Sequence, residues 1–205
     1  MRTIIFFVIF TSSAFTQTKA ILSTGLNFPT DLYLFHGIPT SRIARFWGVG
    51  INGGFAFEVN IMGHLAISPS YEYNHYSFNR YYDDTMFWEY TMKSSSGDAS
   101  HVSRILMEMK LFDKTEGNFK IYLVTGGGYV IERIGLIRVT WSRFSSSEVK
   151  SNIQFPSKNY WIHSAGFGFR LNAVSSVDID CGLKYFSNYS DMFHFSLNIG
   201  AVCQL

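Results

Sequence analysis

Nine charged side chains carry the clearest chemical pattern in this 205-residue sequence. Glu58, Glu72, Glu108, Asp178 and Asp180 oppose Lys110, Lys120, Arg170 and Lys184, and each falls among small or polar residues at every second position. Buried charges are tolerated only when paired or hydrated. Five acids against four bases can nearly neutralise one another, so the set suits an enclosed charge cluster. Other candidates carry less. Gly48-Val-Gly50-Ile-Asn-Gly53 matches a dinucleotide-binding spacing, and Thr125-Gly-Gly-Gly128 a fragment of a phosphate loop. The first lacks a following helix and the second lacks the Lys-Ser/Thr that would reach phosphate. Six histidines (36, 64, 75, 101, 163, 194) show no metal-ligand spacing. His163-Ser164 offers a base beside a nucleophile, but adjacent residues of a strand point to opposite faces. Cys181 and Cys203 form no Cys-x-x-Cys motif and fall on apolar phases out of register, which predicts free thiols. Asn188-Tyr-Ser190 is a glycosylation sequon only in form. No catalytic, cofactor-binding or metal residue is expected. A formal charge of +2 gives no nucleic-acid footprint.

The elements that must position these groups read as β-strands. Composition already points there, with 20 Phe, 12 Tyr, 4 Trp and 17 Gly against 4 Pro. Alternation is the dominant period. In one run Trp47, Val49, Ile51, Phe55, Phe57 and Val59 face one way, and Gly48, Gly50, Asn52, Gly54, Ala56 and Glu58 the other. Six more runs repeat this, near 65–74, 105–112, 119–126, 161–171, 177–185 and 193–205. Tight connections are read at Asn60–Gly63, Asp113–Gly117, Asn172–Ser176 and Ser187–Ser190, and long polar ones near 79–100 and 132–159. An even strand number needs an eighth, and Ala20 to about Phe35 is the candidate, although Pro29 interrupts it. Before it, Arg2 and the apolar Thr3–Phe10, followed by Ser12, Ser13, Ala14 and Ala20, read as a secretory signal peptide cleaved after Ala14 or Ala20. The expected organisation is a signal peptide over 1–20 and one domain over 21–205.

Facing decides the class. An eight-stranded barrel has an interior just wide enough for side chains to fill. Seven strands of large apolar residues would overfill it, whereas the small and polar phase fits. The apolar phase must then face lipid, and lipid forces closure because an open edge leaves backbone groups unsatisfied. The expectation is all-β: a closed up-and-down antiparallel transmembrane β-barrel of about eight strands.

The sequence resembles the small bacterial outer-membrane barrels of the OmpA/OmpX type and the broader outer-membrane β-barrel domain group. The resemblance covers most of the mature chain as a pattern. Its most specific part is the C-terminal strand, where Gly200, Cys203 and Leu205 stand as in a terminal assembly signal, with Leu where many members end in Phe. It implies outer-membrane localisation, contact with outer-membrane lipid and handling by the barrel-assembly machinery. If the C-terminus is periplasmic, the turns at 60–63, 113–117 and 172–176 fall on the periplasmic side. The expected role is non-enzymatic: structural or surface-interacting, with a filled lumen and any ligand at 79–100 or 132–159. The aromatic run Tyr81–Tyr90 is read as girdle or contact surface. Alternatives are a narrow channel for small solutes or ions, and a barrel hydrolase acting on lipid.

Overall fold

A computed structural model describes residues 18–30, 47–78, 90–114, 117–143, 148–174, 176–188 and 193–205. The signal segment before Thr18, His36 and most of the aromatic run Tyr81–Tyr90 lie outside these residues. The described strands are β1 (Thr18–Thr30), β2 (Trp47–Met62), β3 (Leu65–Phe78), β4 (Tyr90–Gly97), β5 (Ser100–Phe112), β6 (Phe119–Arg133), β7 (Ile137–Arg143), β8 (Glu148–Ile153), β9 (Lys158–Val174), β10 (Val177–Ser187) and β11 (Phe193–Gln204).

Eight of them close a barrel in the order β1-β11-β10-β9-β6-β5-β3-β2, every neighbouring pair antiparallel. Closure runs through β1, which pairs with β11 from Lys19–Gln204 to Thr30–Phe193 and with β2 from Thr18–Val59 to Asn27–Gly50. Pro29 lies beyond the last β1–β2 pair, where a residue without an N–H costs the ladder least. The first strand thus exists and begins two residues before the Ala20 read from the sequence.

The alternation sorts the wall into two faces. Leu22, Ile51, Phe55, Ile105, Met107, Leu123, Phe167 and Leu197 are exposed on the outside, while Asn52, Glu58, Glu72, Glu108, Ser164 and Ser196 are buried inside. A belt of exposed Leu, Ile and Phe around a closed barrel is the surface of a membrane-spanning protein, since lipid replaces the apolar partner that water cannot be.

The connections differ from expectation at one end. The sequence predicts long polar loops over 79–100 and 132–159. Instead β4, β7 and β8 lie there as a three-stranded antiparallel sheet in the order β4-β7-β8. Each is the continuation, past a short break, of a barrel strand: β4 leads into β5, β7 follows β6, and β8 leads into β9. Asp98 N–H donates to the Leu136 carbonyl at 2.9 Å, carrying the ladder across the break. At that crossing a Cβ on Gly135 would strike the Asp98 and Ala99 carbonyls, so only glycine permits the close approach. The sequence concealed this sheet because β4 is largely polar on both phases and β8, though Val149 and Ile153 alternate with Glu148, Lys150 and Asn152, is only six residues long.

Candidate functional site: the lumen and the outer sheet

The lumen is layered. Nearest the short turns, Ala66, Phe112, Tyr122 and Val124 form a small apolar cluster. The Tyr122 ring reaches across the wall over Gly168, where any Cβ would collide with it. Above this lies a first charge group. Arg170 grips Glu58 with both ends of its guanidinium, Nη1 to Oε1 at 2.6 Å and Nη2 to Oε2 at 2.8 Å, and Nη2 also donates to Asp180 at 3.1 Å. Lys110 Nζ completes the square, 3.2 Å from Glu58 and 3.1 Å from Asp180. A second group follows. Lys184 Nζ bridges Glu72 at 2.9 Å and Glu108 at 2.8 Å, Arg104 lies 3.4 Å from Glu72, and Ser164 Oγ donates to Glu108 at 3.2 Å. Each group holds two acids and two bases, so each is neutral.

Several rings extend the pairing: Arg104 lies over Phe186 at 4.2 Å, Lys110 over Tyr122 at 4.9 Å and Arg170 over Phe112 at 5.0 Å. Amides fill much of the remainder. Asn27 bonds Asn74, Asn52 donates to Ser196 at 2.9 Å, and Ser196 bonds Asn198 at 3.0 Å. A cavity of about 50 Å³ remains among Ser68, Ser70, Glu72, Glu108, Lys110, Asp180 and Lys184. That is room for only one or two water molecules. Towards the sheet the lumen becomes apolar: Tyr76, Val102, Leu106, Val130, Ile162 and Phe186 pack with Ile134, Ile137 and Val139 from the sheet and its approach.

Of the nine charges singled out in the sequence, seven meet in these two groups. Lys120 and Asp178 do not; they line a cavity of about 210 Å³ at the turn end, where Asp178 pairs with Lys19 at 3.3 Å. Arg104 is the member that sequence reading missed. It sits in phase with Glu108 and Lys110, but the apolar run that revealed β5 begins only at Ile105. His163 is exposed on the outer wall and Ser164 is buried in the lumen, so the two do not meet. Cys181 and Cys203 are free; Cys181 pairs across with Ile199, not with Cys203. Gly200, Cys203 and Leu205 share the end of the chain that β11 forms, with Cys203 and Leu205 facing outwards. Among the described residues no group of three His, Cys, Asp or Glu is placed to hold a metal.

The outer sheet carries its own polar contacts. Arg138 pairs with Asp98 at 3.0 Å, Lys93 with Glu148 at 3.0 Å, and Trp141 Nε1 donates to Ser151 at 2.7 Å; below the sheet, between barrel strands β9 and β6, Tyr160 donates to Glu132 at 3.1 Å. The exposed pairs contribute little to stability; they make a polar, charged surface.

A closed eight-stranded barrel, apolar outside and charge-paired inside, is a transmembrane barrel of the outer-membrane class. Solved structures share that fold. Neisserial surface protein A matches with a TM-score of 0.53 at 13% identity, over 92% of this chain and 97% of that one. A major outer membrane protein from Thermus thermophilus matches with a TM-score of 0.51 at 10% identity, over 91% and 98%. Both are bacterial outer-membrane barrels, and the chain described here has their fold. No known protein family matches its sequence. No curated protein matches it either.

Proposed function

We propose that the protein is a non-enzymatic, non-conducting barrel of the bacterial outer membrane whose working surface is the sheet β4-β7-β8 above the outer rim. The observation that carries this reading is the filled lumen: two neutral ion-pair groups span the cross-section, with apolar side chains above and below them. Paired charges hold no free counter-charge for a permeating ion, and the apolar layers offer it no hydration. The separation of His163 from Ser164 supports the non-enzymatic part, because a lipid hydrolase built on them would need both on one face. The lipid-facing belt would be inserted by the barrel-assembly machinery, with Gly200, Cys203 and Leu205 in the segment it reads. The sheet, polar and held clear of the membrane, is where a surface ligand would be met.

Planar-bilayer recording on the purified, folded barrel tests the lumen directly. The expected trace shows no steady ohmic steps. A reproducible open current at neutral pH would overturn the closed reading and establish the narrow-channel alternative.

A further inference from the structure

We infer that His75, His101 and Arg133 form a docking site on the outer wall for the phosphate group of an outer-leaflet lipid. The strand register places them in one row, His75 opposite His101 and His101 opposite Arg133, across the neighbouring strands β3, β5 and β6. All three are on the outward phase, since Asn74, Tyr76, Val102 and Glu132 beside them are buried inside. The imidazole rings of His75 and His101 are 5.1 Å apart, and Tyr73 OH holds His101 Nδ1 at 2.6 Å. That bond fixes the ring and leaves Nε2 free to turn outwards.

Height along the wall identifies the ligand. The row below it is Tyr73, Ser103 and Ile131, and the next is Tyr71, Ile105 and Tyr129, with Tyr129 packed edge-on to Trp161 at 5.4 Å. Tyrosine and tryptophan mark the level where acyl chains give way to headgroups. The basic row stands just beyond that level. Among the described residues no carboxylate pairs with His75, His101 or Arg133; Glu132 lies on the other face of the wall, bound to Tyr160. Arg133 is permanently charged, and two imidazoles with N–H donors align with it on adjacent strands, a set that one anion can bridge. At headgroup height the anion supplied by a membrane is a phosphate, whose geometry the guanidinium fork fits. The inference rests on the proposed membrane insertion, with the sheet end outwards.

The test is a titration followed through the imidazole resonances. The full folded chain is held in a neutral, phosphate-free detergent, and its heat-modifiable gel mobility confirms the barrel. Short-chain phosphatidic acid is added in one series and inorganic phosphate at equal concentration in another. The expected result is a saturable shift of His75 and His101 with the lipid, none of His64 at the opposite end, and a much weaker response to free phosphate. Arg133→Gln should weaken lipid binding about fivefold, the loss expected for one partly exposed charge contact, and His75→Gln supplies an independent variant should the first misfold. Equal response to free phosphate, or unchanged affinity in both variants, overturns the inference. Failure with the barrel intact removes only this site; loss of heat-modifiable mobility would instead contradict the barrel reading.

Discussion

Arg170 shows what a single lumen residue does. It neutralises Glu58 and Asp180 together, and its side chain is only 6% exposed. Removing it would leave two buried carboxylates facing Lys110 alone. Breaking a buried ion pair from one side costs about 3–5 kcal/mol because the partner stays uncompensated. Arg170→Met is therefore expected to lower the unfolding free energy by roughly that amount, read by urea unfolding of the barrel in vesicles. Lys19→Met provides the contrast. Its pair with Asp178 is at the rim, where the Lys19 side chain is 25% exposed, and such pairs are worth at most about 1 kcal/mol. Equal losses in the two variants would mean that the lumen network is not desolvated. At this scale the sequence was informative because charges on the small-residue phase of an apolar-out strand have nowhere to go but inwards. It was silent on which acid meets which base. That depends on register and on which strands face each other across the lumen: Glu58 and Arg170 lie on β2 and β9, which are not neighbours.

At the scale of elements, β1 supports one answer to a question that the sequence left open, the cleavage point of the signal peptide. A cut after Ala20 would remove Thr18, Lys19 and Ala20 from the strand. Phe57, Glu58 and Val59 of β2, and Cys203 and Gln204 of β11, would then lose their β1 partners. It would also set a new ammonium group on Ile21, opposite Ala56 and Val202, while Met62 and Leu205 remain exposed further down the outer belt. Unpaired backbone and a charge inside the apolar belt are both costly. Cleavage after Ala14 avoids both, so the mature protein is expected to begin at Phe15. Intact mass and N-terminal sequencing of protein from outer membranes check this, and a start at Ile21 would refute it. The barrel strands were legible because lipid on one side and a packed lumen on the other impose a strict period of two. β7 does alternate, with Ile137, Val139 and Trp141 against Arg138, Thr140 and Ser142, but its seven residues fall short of the nine to eleven of a spanning strand. β4 and β8 flank it in the sheet, but β4 is largely polar and the alternation of β8 spans only six residues, too short to announce the pairing.

The whole molecule is asymmetric along its axis, and that asymmetry predicts how it sits in the membrane. One end carries the short connections from β2 to β3, β5 to β6 and β9 to β10, together with the start of β1 and the end of β11. The other carries the three-stranded sheet and the apolar cap beneath it. Outer-membrane barrels have short periplasmic turns and longer extracellular segments. The sheet end is therefore expected to face outwards, which places Lys150 on β8 at the cell surface and Lys114, just past the end of β5, in the periplasm. Both side chains are exposed where they stand. Lys150→Cys and Lys114→Cys, each made after Cys181→Ser and Cys203→Ser, can be challenged on intact cells with a maleimide too large to cross the outer membrane. The first should label at once and the second only after the membrane is permeabilised. Labelling of Lys114→Cys on intact cells would invert the molecule. It would move the sheet into the periplasm and the His75–His101–Arg133 row to the inner leaflet, and the surface role proposed for the sheet would fall with it.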